Sequence, residues 1–98
     1  MPYSPQVVSA LRKYAKQSGA PVAYVAAAMV ESNLDPNASG DGGHSIGLFQ
    51  ANDWGRGAGV DHDTRRDPEW NARTAAEEFS RSAGSGPVRA YNAQRPAD

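Results

Sequence analysis

The sequence predicts a mainly α domain of about four helices, carrying one long glycine-rich loop or small hairpin. Three observations lead there. Apolar residues recur at helical spacing in two runs near the N-terminus, opened by Pro5 and Pro21. A third helical run opens at Asp67-Pro68-Glu69. Between residues 33 and 66 the periodicity lapses, and Gly40, Gly42, Gly43, Gly47, Gly55, Gly57 and Gly59 fall in that interval.

Each element has its own signature. Ser4-Pro5 is an N-cap followed by proline at the first helical position, where a missing N–H costs nothing. Val7, Val8, Leu11, Tyr14 and Ala15 then share a face and Gly19 suits the stop, so the first helix spans about residues 5–17. The run Val22-Ala-Tyr-Val-Ala-Ala-Ala-Met-Val30 is apolar nearly all round, which predicts a buried central helix ending near Asn33. Asp35-Pro36-Asn37 is a turn signal, and Ile46 to Ala51 suits a short strand or hairpin arm. Asp67 caps a helix over about residues 68–82, with Ala72, Ala75, Ala76, Phe79 and Ala83 on one face. Gly84-Ser-Gly86-Pro87 is a turn, and Val88 to Tyr91 reads as a last short helix. A connection as long as 33–66 in so small a domain is usually functional.

Bulk properties narrow the function. The 98 residues suit a single domain, 1–98. A net charge of −1 argues against a nucleic-acid binder and gives no general attraction to an anionic membrane. No apolar run approaches the roughly 20 residues of a spanning helix. The opening Met-Pro-Tyr-Ser-Pro has neither the basic start nor the apolar segment of a signal peptide. Action outside the cell therefore calls for a removed signal, a larger parent chain or another exit route. The absence of cysteine excludes disulfides and thiolate metal sites.

Glu31 closes the long apolar run. That setting predicts partial desolvation, which raises a carboxyl pKa and retains the proton that a general acid must give. On composition alone, a polar residue capping a core helix is the simpler reading. Asp41 follows in a permissive glycine loop, where a wet carboxylate stays ionised and can act as base for water. Two carboxyls in unlike surroundings are what glycoside hydrolysis needs, although Asp-Gly is also an ordinary turn dipeptide. Asp35-Pro-Asn37-Ala-Ser39-Gly40-Asp41 matches the first half of a calcium loop, but the twelfth position, which wants a bidentate Glu, is Ile46. No metal and no cofactor is expected. Asp61-His62-Asp63 reads as a solvated loop, since three adjacent residues converge poorly on one ion. His44 suits either a cleft wall or an exposed loop position. Trp54 and Trp70 have rings that can stack on sugars, and Trp70 suits the core better. Gln50 and Asn92 offer uncharged groups for sugar amides and hydroxyls.

Three segments taken in order carry a resemblance. Glu31-Ser32 after an apolar helix resembles the catalytic Glu-Ser motif of lytic transglycosylases and goose-type lysozymes. Gly47-Leu48-Phe49-Gln50 resembles their Gly-Leu-Met-Gln motif, and Ala90-Tyr91-Asn92 resembles the Ala-Tyr-Asn motif of the transglycosylases. Asp67-Pro68-Glu69-Trp70-Asn71, opening an alanine-rich helix, fits the segment between them. Over about residues 20–93 the chain thus resembles the lysozyme superfamily of peptidoglycan-cleaving enzymes. The resemblance implies a lysozyme-like fold and peptidoglycan glycan strands as the partner. It implies cleavage of the β-1,4 bond between N-acetylmuramic acid and N-acetylglucosamine. Glu31 is then expected to protonate the glycosidic oxygen, with Ser32 supporting the site. Gln50 lines the cleft, Tyr91 and Asn92 hold the Glu or the sugar from the opposite wall, and His44 and Asn52 complete the expected substrate-binding set.

The same resemblance offers two routes of attack. Goose-type lysozymes carry Gly-Asp before their Gly-Leu-Met-Gln, and Asp41 here stands six residues before Gly47. By that likeness Asp41 positions and activates a water for an inverting hydrolysis. Lytic transglycosylases use the single Glu: the sugar's own 6-hydroxyl attacks and a 1,6-anhydro ring forms. A second goose-type Asp falls at Asn52, which orients water but cannot be its base; Asp53 is next door. Gln94 follows Ala93 where transglycosylases usually show glycine. Chicken-type lysozymes share part of the pattern but depend on disulfides, and Ser45 stands where their second catalytic Asp would be, which disfavours a retaining mechanism. The rival class is a non-catalytic glycan-binding or calcium-dependent module. Size and family habit point to a monomeric domain of a bacteriophage lysin or tail protein, or of a secreted bacterial enzyme, acting on the cell wall.

Overall fold

The computed structural model of the chain describes residues 3–82. The expected last short helix, with Tyr91 and Asn92, lies outside the described residues. The elements run α1 (Pro5–Ala15), α2 (Pro21–Ser32), β1 (Ser39–Gly40), a 3₁₀ turn (Asp41–Gly43), β2 (Ser45–Ile46), β3 (Ala51–Asn52), α3 (His62–Arg66) and α4 (Pro68–Arg81). Three of the expected helices are there with their expected starts. Ser4 Oγ accepts from the Val7 N–H at 3.3 Å, and Asp67 Oδ1 accepts from the Glu69 N–H at 3.2 Å, so both predicted caps satisfy a donor that the helix leaves open. α2 ends where Asn33 turns left-handed, at φ 53°.

The core lies between α1, α2, α4 and the β2–β3 connection. Val7, Ala10, Leu11 and Tyr14 of α1 and Ala72, Ala75, Ala76 and Phe79 of α4 are all buried. The alanines let the helices approach closely, and the aromatic rings fill what remains. Tyr24 of α2 is wholly buried, with its ring centroid 4.6 Å from that of Phe49 and 5.6 Å from that of Phe79. Its hydroxyl donates to the Ala72 carbonyl at 2.7 Å, so the buried polar tip has a partner. Burial raises the Tyr24 pKa well above the usual phenol value. A further tie joins the outer ends of α1 and α4, where the Tyr14 hydroxyl donates to Glu69.

The strands form one small antiparallel meander in the order β1-β2-β3, pairing Ser39 with Ile46, Gly40 with Ser45, Ser45 with Asn52 and Ile46 with Ala51. Ladders of two residues do not stand alone. Side chains from the helical part hold this one. The fully buried Asn71 of α4 donates from Nδ2 to the carbonyls of Ile46 (3.1 Å) and Arg65 (2.9 Å) and accepts at Oδ1 from the Phe49 N–H (2.9 Å). The buried Arg65 of α3 donates from Nη1 to the Ala51 carbonyl at 3.2 Å and from Nε to the Val60 carbonyl at 2.8 Å.

Three expectations are corrected. α2 is not buried all round: among the described residues Val22, Val25, Met29 and Val30 are exposed, because its neighbours cover only the stripe of Ala23, Tyr24, Ala27 and Ala28. Asp61-His62-Asp63 is exposed but not loop; Asp61 Oδ1 accepts from the Thr64 N–H at 2.7 Å and caps α3. Trp70 is half-buried rather than core, since it lies on the α4 face that carries the Arg56 guanidinium, 5.7 Å from its ring centroid.

Candidate active site

Glu31 stands in the last turn of α2 and opens on a cleft of about 200 Å³. Its walls are Ala27 and Glu31 from α2, Phe49 and Gln50 from the β2–β3 connection, Arg56, and Ala75, Glu78 and Phe79 from α4. The structure thus brings Glu31 and Gln50 together, though they are far apart in the chain. Glu31 is exposed among the described residues, so the desolvation expected from its apolar neighbours is not found. The cause is the same open face of α2 that exposes Met29 and Val30. Ser32 points the other way: it is buried and donates to the Ala28 carbonyl at 3.0 Å, fixing the helix end behind the carboxylate.

Gln50 owes its place to its glycines. Its Nε2 donates to the carbonyls of Ala38 (3.1 Å) and Gly47 (2.9 Å), which fixes the side-chain amide beside the cleft. A Cβ on Gly40 would lie 2.6 Å from Gln50 Oε1, so a larger residue at 40 would push the Gln50 amide out of its place against β1. Gln50 and Asp41 both adopt left-handed backbone, at φ 50° and φ 53°. Non-glycine residues held there carry strain that the surroundings must offset.

Asp41 is exposed at the β1–β2 turn. The Ser45 hydroxyl donates to Asp41 Oδ2 at 2.6 Å, and Asn52 Nδ2 donates to Ser45 Oγ at 2.8 Å. The three residues form one hydrogen-bonded chain across the meander, which orients the carboxylate. Asp41 does not line the Glu31 cleft.

A second chain runs beside it. His44 Nδ1 lies 2.8 Å from Asp53 Oδ2, and Arg65 Nη1 lies 2.7 Å from Asp53 Oδ1 in an ion pair without the alignment of a hydrogen bond. His44 first and Arg65 second hold the Asp53 carboxyl below its ordinary pKa. The His44 ring in turn stacks against Trp54 at 4.6 Å between centroids.

Sequence reading missed Arg56 and Glu78 in the cleft. The Arg56 side chain is only 9% exposed. It donates to the Phe49 carbonyl (3.1 Å) and Thr74 Oγ1 (2.8 Å), and its Nε lies 3.9 Å from Glu78 Oε1. Burial pulls the guanidinium pKa down to about 10, so it stays charged at neutral pH. The signal available was weak: an arginine between Gly55 and Gly57 looks like any solvated loop charge. Glu78 falls outside the apolar set of Ala72, Ala75, Ala76 and Phe79, so nothing local in the sequence marks it. Among the described residues no group of three His, Cys, Asp or Glu side chains is placed to hold a metal ion. Asp35 instead accepts from the Asn37 N–H at 2.9 Å, an Asx turn.

A helical domain with a small three-stranded meander beside a Glu-bearing helix end defines a lysozyme-like class of fold. The sequence model of the lysozyme-like domain family matches residues 12–87, and the chain belongs to that family. No curated protein and no solved structure gives a significant match to it.

Proposed function

We propose that this domain is a muramidase that cleaves the β-1,4 bond between N-acetylmuramic acid and N-acetylglucosamine, with Glu31 as general acid. The observation that carries this reading is the meeting of Glu31 and Gln50 in one cleft of a lysozyme-like domain. Glu31 gives its proton to the glycosidic oxygen as the bond to the anomeric carbon breaks. Asp41 takes a proton from a water that attacks the opposite face of the sugar, giving inversion. The Ser45–Asn52 chain supports that role, since it fixes one carboxylate oxygen and leaves the other for water. Tyr91 and Asn92 complete the sugar site from the C-terminal motif. The domain works at the bacterial cell wall, as a monomeric unit of a bacteriophage lysin or tail protein or of a secreted enzyme.

One observation favours a second reading, a lytic transglycosylase. Asp41 is not a wall of the Glu31 cleft. With Asp41 outside the cleft, the sugar's own 6-hydroxyl serves as the nucleophile in this reading, and an anhydro ring results. Mass spectrometry of digested peptidoglycan separates the two: reducing muramyl ends support hydrolysis and 1,6-anhydro ends support transglycosylation. Intact strands overturn both.

A further inference from the structure

We propose that Glu78 is a second catalytic carboxylate of the Glu31 cleft: from the α4 wall its charge faces the anomeric carbon as the glycosidic bond breaks. This rests on the glycan-cleaving reading above.

Among the described residues, Glu31 and Glu78 are the two carboxylates that wall this cleft, one from α2 and one from α4. Each stands in the last turn of its helix, where the macrodipole disfavours negative charge. Two such placements, facing one space of about 200 Å³, break a local rule twice at the same spot. Neither helps the fold. Both suit a positive charge that arises between them.

The neighbouring Glu77 shows what is particular to Glu78. Both side chains are more than half exposed, and each has an oxygen 3.9 Å from an arginine nitrogen. Glu77 pairs with Arg73, one turn earlier on the same helix, in an ordinary solvated pair. Glu78 pairs with Arg56, a buried side chain that reaches α4 from the loop after β3. The Arg56 Nη groups are committed to the Phe49 carbonyl and to Thr74 Oγ1, so the guanidinium is fixed and holds Glu78 through Nε. At 3.9 Å this is an ion pair rather than a hydrogen bond, so it orients the carboxylate without using its lone pairs.

The reaction makes use of that charge. Glu31 passes its proton to the glycosidic oxygen, and the bonding electron pair leaves with that oxygen. The anomeric carbon is left electron-poor, in an oxocarbenium-like transition state. A cleft of about 200 Å³ seats little more than a sugar ring, so a ring that reaches Glu31 also meets the opposite wall. There Glu78 moves no proton and forms no bond. It is a fixed negative charge that stabilises the transition state more than the ground state. The role holds whether water or the 6-hydroxyl completes the reaction.

The test uses the whole 98-residue chain and soluble glycan strands freed of their peptides, with cleavage followed by chromatography to give kcat and KM. Glu78→Gln should lower kcat about tenfold or more and leave KM within about twofold of the parent. Glu78→Asp keeps the charge but draws it back by one methylene, so its kcat should fall between the two. Glu77→Gln, on the next residue of the same helix, should match the parent. Melting curves check that the folds agree, as expected for side chains more than half exposed. A kcat for Glu78→Gln within about twofold of the parent overturns the proposal. So does a rise in KM alone, which marks a binding contact, and so does an equal loss in Glu77→Gln, which marks a general charge effect. Glu31→Gln is read alongside. Loss in Glu31→Gln with full kcat in Glu78→Gln removes Glu78 and leaves the muramidase reading standing. Loss in Glu78→Gln with full kcat in Glu31→Gln does the reverse. A parent chain that leaves the strands intact overturns both.

Discussion

The side-chain amide of Asn71 fills the space that a Cβ on Gly47 would need: such an atom would lie 2.4 Å from Asn71 Nδ2 and 2.4 Å from the Arg65 carbonyl oxygen. Gly47 also sits at φ +92°. The first residue of Gly-Leu-Phe-Gln is therefore glycine for two reasons, a left-handed backbone and a close approach. Gly47→Ala should lower stability by about 2–4 kcal/mol in urea denaturation, combining backbone strain and overpacking. Gly43 is the control. It has a similar φ of +95°, but a Cβ there would meet nothing within 4 Å, so Gly43→Ala should cost only about 1–2 kcal/mol. Equal losses at the two sites would contradict the close-approach argument.

The same pair of residues marks what was legible in the sequence. The helix starts were, because Ser4-Pro5, Pro21 and Asp67-Pro68 write their chemistry locally. The need for glycine at Gly47 was visible only as a motif, since its cause, Asn71, lies on another element. α3 was missed because five residues without an apolar stripe show no period, and its anchor Arg65 reads as a surface charge. The exposure of Glu31 was missed because an all-apolar run does not say which of its faces will find a partner. The strands were seen only as one possible arm, since two-residue ladders leave almost no alternation to read. Asp41 and His44 were legible as loop residues, but not the Ser45–Asn52 and Asp53–Arg65 chains that hold them.

Asp53 carries a pH prediction. Its pKa in the folded chain is lowered, first by the hydrogen bond with His44 and then by Arg65. The unfolded chain therefore takes up a proton here more readily than the folded one. The stabilisation is complete above the unfolded Asp value of about 4 and is lost as pH falls through the lower folded value. Asp61 and Glu69 are lowered as well and act with the same sign. Melting followed from about pH 5 to about pH 3 should show a smaller drop in Tm for Asp53→Asn than for the parent. Parallel curves would mean that the His44–Asp53–Arg65 chain does not stabilise the meander.

Asp41 separates the two chemical routes. Under inverting hydrolysis, Asp41→Asn should reduce turnover by about a hundredfold or more. Ser45→Ala, which frees the carboxylate from its hydroxyl partner, should cost less. Under transglycosylation both variants should keep near-parental rates of strand cleavage. The rate of release of soluble muropeptides reads the difference directly.

The central claim is that Glu31 supplies the proton. Lysis of purified cell walls by Glu31→Gln tests it most directly, because the exposed side chain can change to its amide without disturbing the core. Lysis should fall to background while the thermal melting curve overlays that of the parent. Sustained lysis by a folded Glu31→Gln chain would contradict the claim.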